Sequence, residues 1–126
     1  MAEDALQRIA KKYDEIDIET RRDAKSPLHR TTIWIVPTAQ GAAVRSFKGK
    51  RGRWWQEATA NKKVTIRAGR RKLEARAEPV RSAGGIREVS AAYREKYAGR
   101  WPDETKPMLR SSVLPTTLRL KELKSK

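Results

Sequence analysis

Four cations, Lys48, Lys50, Arg51 and Arg53, stand within six residues of one another with no acid between them. Gly49 and Gly52 interrupt them, and glycine lets a backbone turn tightly or take positive φ. The stretch begins at Ser46 and runs into R-W-W-Q-E-A-T-A, a helix expected over Arg53–Ala60 and terminated by Asn61. Unpaired amide groups at that helix start would point where the cations gather. Cations, a hydroxyl and helix amides together form an anion cradle, and phosphate is the natural guest. Trp54 and Trp55 add flat apolar surface nearby, against which a planar ring can lean. The competing reading is structural: a solvated hairpin loop beside a helix whose tryptophans fill a core.

Other residues able to do chemistry are sparse. His29 is the only histidine and there is no cysteine, which argues against a zinc site and excludes thiolate chemistry. His29 precedes Arg30-Thr31 and is close enough in sequence to reach a phosphate or substrate, although a lone loop histidine is more often merely exposed. Asp14, Glu15, Asp17 and Glu19 could be mistaken for paired catalytic carboxylates. Their alternation with Ile16 and Ile18 puts Asp17 and Glu19 on the solvent face of a strand. Tyr93 and Tyr97 read as core or dimer residues on a helix face. Trp101-Pro102 either caps a pocket or packs a loop. Arg70-Arg71-Lys72 tips a hairpin, while Arg67 and Arg76 are expected to pair across strands with Glu74 and Glu78.

The elements that must position these groups follow from periodicity. Leu6, Ile9, Ala10 and Tyr13 share one face of a helix over 3–13, with Glu3 and Asp4 in its first turn. A strand follows from Ile16 to about Arg21, and Ser26-Pro27 breaks the chain. Residues 31–36 are β-branched apart from Trp34 and form the strongest strand. Pro37 and Gln40-Gly41 then turn the chain into 43–47, giving an expected hairpin that would set Arg30 and Ser46 at one edge. Alternation along 43–47 puts Arg45 on the face opposite Ser46, unless a bulge intervenes. Residues 64–68 and 73–78 form a second hairpin through Gly69-Arg70. A further helix presents Ile86, Val89, Tyr93 and Tyr97 and ends at Gly99. Residues 113–120 read as a last extended segment, and 121–126 as a frayed basic tail. Six short strands with tight connections suit a small antiparallel barrel with helices outside, a single domain over 1–126.

Composition sets the partners. The formal net charge is +15 over 126 residues, which attracts polyanions such as nucleic acid, anionic lipid or phosphorylated small molecules. The surplus concentrates in 45–53, 67–72 and the tail from Arg119, while the N-terminal end is locally acidic. No apolar run approaches membrane-spanning length and no signal-peptide core is visible, so a cytoplasmic protein is expected.

The run R-T-T-I-W-I-V, then V-R-S-F-K-G, G-R-W-W-Q-E-A-T-A-N and K-V-T-I resembles the flavin/deazaflavin split-barrel proteins. These include pyridoxamine-phosphate-oxidase-like flavoproteins and deazaflavin-dependent nitroreductases. The stretch I-D-I-E-T-R-R is similar to one branch of that superfamily, a domain of unknown function. The resemblance implies a mainly β fold with flanking helices, a six-stranded antiparallel split β-barrel, and a homodimer. It implies that FMN or deazaflavin phosphate meets Arg30, Thr31, Thr32, Ser46, Lys48, Gly49 and Arg51. The cofactor ring would lie near Trp34 and Trp54 or Trp55. Phe47 is a departure, standing between Ser46 and Lys48 where many members read Ser-Lys directly.

The function so implied is that of a small flavin- or deazaflavin-binding protein, an oxidoreductase whose cofactor performs the chemistry. Two alternatives stand beside it. One is a cofactor-free dimeric interaction domain. The other is a barrel that binds nucleic acid weakly and without sequence preference, since small basic barrels with stacking aromatics bind single strands.

Overall fold

The computed structural model describes residues 4–123. Helix α1 (Ala5–Lys12) starts at Asp4, which lies at the N-cap rather than in the first turn: its carboxylate accepts from Gln7 N at 2.8 Å. Glu3 lies outside the described residues. Strands β1 (Glu15–Thr20), β2 (His29–Trp34), β3 (Ala42–Val44), β4 (Lys63–Ala68), β5 (Arg71–Pro79) and β6 (Leu118–Glu122) form one antiparallel sheet in the order β2-β1-β4-β5-β6-β3. Helices α2 (Arg53–Ala60), α3 (Ala83–Tyr93) and the short α4 (Pro102–Thr105) flank it. No helix among the described residues is long and apolar enough to cross a membrane.

The expected hairpin between residues 31–36 and 43–47 does not form as a ladder. β2 pairs with β1 along its whole length, and β3 pairs with β6. The two segments touch only where Val36 and Ala43 exchange backbone hydrogen bonds of 3.0 and 2.8 Å. That bridge joins the two ends of the sheet and curls it into a barrel. Pro37 and the Thr38–Gly41 turn, with Gly41 at φ 137°, splay the chains on either side. Beyond the bridge β2 and the segment after β3 diverge, and this gap is the split.

Alternation fills the barrel. Ile16, Ile18, Ile33, Val64, Ile66, Leu118 and Leu120 point inward and meet Leu6 and Ile9 of α1 and Trp54 of α2. Burying each such side chain contributes about 1.5–3 kcal/mol. A second cluster forms outside the sheet, where Val36 and Ala43 meet Val89, Tyr93, Tyr97 and Met108. α3 runs directly into a π-helical turn, Arg94–Ala98. The wider turn brings the Tyr97 ring parallel to the Trp34 indole at 3.9 Å and 8°. In the same turn Lys96 Nζ donates to the carbonyls of Ala10, Tyr13 and Ile35, tying the end of α1 to the sheet. Burial pulls the Lys96 ammonium down to about 8.

Four further expectations are corrected. Glu19 is buried rather than solvent-facing: it accepts from Arg30 and Arg67 on the two neighbouring strands, which roof it over. Burial pushes its carboxyl up, but those hydrogen bonds outweigh it and hold the group below its usual range. Arg67 therefore pairs with Glu19, while Arg76 lies 3.6 Å from Glu78 on its own strand and Glu74 meets Lys63 at 3.5 Å. The segment 113–120 is extended only from Leu118, because Leu114–Thr116 is a 3-10 turn. Lys121 and Glu122 do not fray but pair with Arg76 and Ala75; residues 124–126 lie outside the described residues.

Candidate functional site

β2 is an edge strand beyond the Val36–Ala43 bridge, so its outer edge has no strand partner. Against that edge the chain leaves β3, passes through a 3-10 turn at Gly49–Arg51 and enters α2. An open cavity of about 820 Å³ lies between them, with Glu104 and Met108 also in its lining. Its volume falls in the range of small-molecule and cofactor sites, roughly 300–1,000 Å³.

Of the residues the sequence singled out, Thr31, Thr32 and Trp34 line the cavity from β2. Ser46, Lys48, Arg51 and Trp54 line it from the basic turn and α2. Three do not line it. Arg30 turns away to Glu19, with Nη2 at 2.9 Å. Trp55 packs against the barrel core, as Trp54 also does, but does not reach the cavity. Gly49 is buried beneath the turn at φ 66°, and an added Cβ would press on the Ser112 carbonyl at 3.0 Å.

Ser46 is the pivot of the cradle. It is only 1% exposed; its amide donates to Thr116 Oγ1 at 3.0 Å and its carbonyl accepts from Gly49 N at 2.9 Å. Its hydroxyl oxygen, buried at the cavity wall, has no hydrogen-bond partner among the described residues. A buried unpaired hydroxyl is costly and calls for a reason. Gly52 gives way to it: a Cβ there would collide with Ser46 Oγ. Gly52 also begins α2 without any side-chain cap, leaving the first-turn amides free of a protein side chain.

Arg45 was not among the expected site residues, and alternation alone put it opposite Ser46. β3 ends at Val44, so alternation fails and both residues are buried and line the cavity. The Arg45 guanidinium donates to Thr117 Oγ1 at 2.9 Å, the Met108 carbonyl at 3.0 Å and the Ile86 carbonyl at 2.9 Å. It also lies over the Tyr93 ring at 5.5 Å, with no carboxylate against it. Burial lowers its affinity for the proton relative to free arginine. Four cations, Arg45, Lys48, Arg51 and Arg53, thus line the cavity against two carboxylates, Glu15 and Glu104. The wall combines a positive field and an unpaired hydroxyl with the indoles of Trp34 and Trp54.

His29 lies outside this cavity. Its Nδ1 sits 2.8 Å from Glu57 Oε2, and Glu57 Oε1 accepts from Thr20 Oγ1 at 2.8 Å. Tyr93 and Tyr97 are core, and Trp101 packs beside Trp34 at 6.0 Å without lining the cavity.

No curated protein matches the chain. Solved structures match it in fold. HutZ, a heme storage protein from Vibrio cholerae, superposes with a TM-score of 0.69 at 13% identity over 95% of this chain and 89% of that one. An F420-H2 dependent reductase, FDR-A, gives 0.64 at 14% identity over 86% and 94%. A putative pyridoxamine 5'-phosphate oxidase from Listeria innocua gives 0.60 at 11% identity over 94% and 90%. The fold these structures share with the chain is the six-stranded antiparallel split barrel that the sequence motifs implied. Residues 5–120 match the family described as uncharacterized protein conserved in bacteria, and on that match the chain belongs to DUF2255.

Proposed function

We propose that the chain binds a phosphorylated flavin or deazaflavin in the cavity at the split and acts as an oxidoreductase through it. The observation that carries this reading is the Ser46 hydroxyl, buried without a partner among the cations of the basic turn. A phosphate oxygen supplies the missing partner. Ser46, Lys48 and Arg51 hold the phosphate, the first-turn amides of α2 face it, and Arg45 keeps the wall positive. Trp34, backed by Tyr97, and Trp54 support the ring. Thr31 and Thr32 line the cavity from β2, and the Thr32 hydroxyl, which donates to Asp17 Oδ1 at 2.7 Å, is left with its acceptor capacity. When bound, such a cofactor supplies the hydride- or electron-transfer chemistry, and the protein supplies binding, orientation and exclusion of water.

Haem suits these residues less well. A haem iron takes an axial ligand such as histidine. The only histidine, His29, is engaged by Glu57 outside the cavity. A homodimer in the cytoplasm is part of the proposal. Phe47, 60% exposed at the cavity rim, is an apolar surface that a second copy would cover while closing the open side.

The test is an equilibrium titration of the protein with FMN, deazaflavin and riboflavin, followed by bound-state absorbance. FMN or deazaflavin should bind and riboflavin, which lacks the phosphate, should bind at least about tenfold more weakly. Equal binding of FMN and riboflavin would remove the phosphate from the account.

A further inference from the structure

We infer a second anion-binding site, in the separate cavity between the start of β2 and the outer side of α2, where Arg22, His29 and Arg53 hold a tetrahedral oxyanion of the phosphate class. This cavity measures about 370 Å³. Glu57 is the only carboxylate in its lining. Glu57 is 7% exposed, and both its oxygens are committed, Oε1 to Thr20 Oγ1 and Oε2 to His29 Nδ1. Its charge is therefore met from within the fold. The same contact orients the imidazole and leaves Nε2 as the ring nitrogen with no partner among the described residues. Nearby, Asp23 is occupied locally, its Oδ1 accepting from Lys25 N at 2.9 Å and from Ser26 Oγ at 2.9 Å.

Arg22 and Arg53 stand exposed at the cavity, and neither guanidinium has a hydrogen bond or ion pair among the described residues. Within the lining two guanidiniums outweigh the single buried carboxylate, and Asp23, whose carboxylate also feels Arg22, lies outside it and is engaged by Lys25 and Ser26. Guanidinium forks match the paired oxygens of phosphate, and Nε2 completes the set by accepting from a phosphate O–H, or by donating when the imidazole is protonated on both nitrogens. Arg53 lines both this cavity and the larger one. The inference does not depend on the flavin reading, because neither Arg22 nor His29 lines the larger cavity.

The chain's single histidine makes the test direct: its imidazole C–H signals in a proton spectrum report this cavity. The full chain is titrated with inorganic phosphate at constant pH and ionic strength, with acetate as a planar carboxylate control. The His29 signals should move saturably with phosphate and little with acetate. Arg22→Gln should weaken that response by about tenfold or more, as expected for loss of a charge-assisted hydrogen bond. Arg51→Gln, altered only in the larger cavity, should leave it intact. The inference is overturned if phosphate moves the signals no more than acetate does, or if Arg22→Gln responds like the unmodified chain. Loss of the response in Arg51→Gln would also overturn it, by assigning the effect to the larger cavity.

Discussion

Gly52→Ala is the sharpest probe of the cradle, because its effect runs through one contact. Gly52 has φ −64° and ψ 125°, an ordinary extended conformation that alanine adopts freely. Replacing glycine there should by itself stabilise the chain by about 0.4–1 kcal/mol through the unfolded state. Against this, the new methyl collides with Ser46 Oγ in a buried wall. Overpacking of that kind costs roughly 1–3 kcal/mol, so a net loss of about 1–2 kcal/mol is expected. Ser46→Ala removes the other party to the collision. It also deletes an unpaired buried hydroxyl, and should stabilise the ligand-free chain by about 1 kcal/mol. In the double variant the collision is gone and Gly52→Ala should become neutral or stabilising. Urea unfolding of the four proteins closes the cycle, with a coupling expected in the range of about 0.5–3 kcal/mol. The reasoning fails if Gly52→Ala costs the same in both backgrounds. It also fails if Ser46→Ala destabilises the ligand-free protein, since the hydroxyl would then have a partner. Ser46→Ala should meanwhile weaken FMN binding, the mark of a group kept for a ligand at some expense in stability.

Arg45→Ala should cost about 3–5 kcal/mol in chemical unfolding, because it strands the Met108 and Ile86 carbonyls and opens a cavity; Arg45→Lys should recover little, as these acceptors are placed around three separate guanidinium nitrogens rather than around a single point as they are at Lys96. The Lys96 ammonium, lowered by burial to about 8, leaves the unfolded chain binding more protons between about pH 8 and 10, so stability should rise across that window. Lys96→Met should remove that rise, which pH-dependent urea melts would record. Light scattering across micromolar concentrations should find a dimer, and a monomer throughout would contradict the proposed assembly. Single-stranded DNA should bind weakly, without sequence preference, and release steeply with salt, as counterion release from a chain of net charge +15 requires. Tight, sequence-selective binding at physiological salt would reverse that reading.

Local order was legible and long-range pairing was not. α1, β1, β2, β4, β5 and α3 each carry several apolar residues at one period, and each lies close to where periodicity put it. That Ser46, Lys48 and Arg51 would come together at one cavity was legible too, since they are neighbours in sequence and need only one turn to converge. What alternation cannot encode is the partner of a strand. β3 offers three residues, Ala42–Val44, and meets β6 from the far end of the chain rather than its neighbour β2. Arg45 was misjudged because its strand stops one residue earlier, and because the acceptors that satisfy it come from three distant segments. Glu19 was misjudged because its roof, Arg30 and Arg67, is assembled by pairing on both sides of β1. The stacking of Tyr97 on Trp34 depends on a π-helical turn that no residue pattern announces.

The central claim is that the basic turn holds a cofactor phosphate at the split of the barrel. Its most direct test is the FMN and deazaflavin dissociation constants of the unmodified chain, Lys48→Ala, Arg51→Ala and the exposed control Lys121→Ala, measured side by side. A charge-assisted contact to phosphate is worth roughly 1.5–3 kcal/mol, so each cradle variant should bind about ten- to a hundredfold more weakly while the control is unchanged. Cradle variants that bind as tightly as Lys121→Ala, or an unmodified chain that binds neither cofactor, would contradict the account and leave the barrel as a cofactor-free interaction domain.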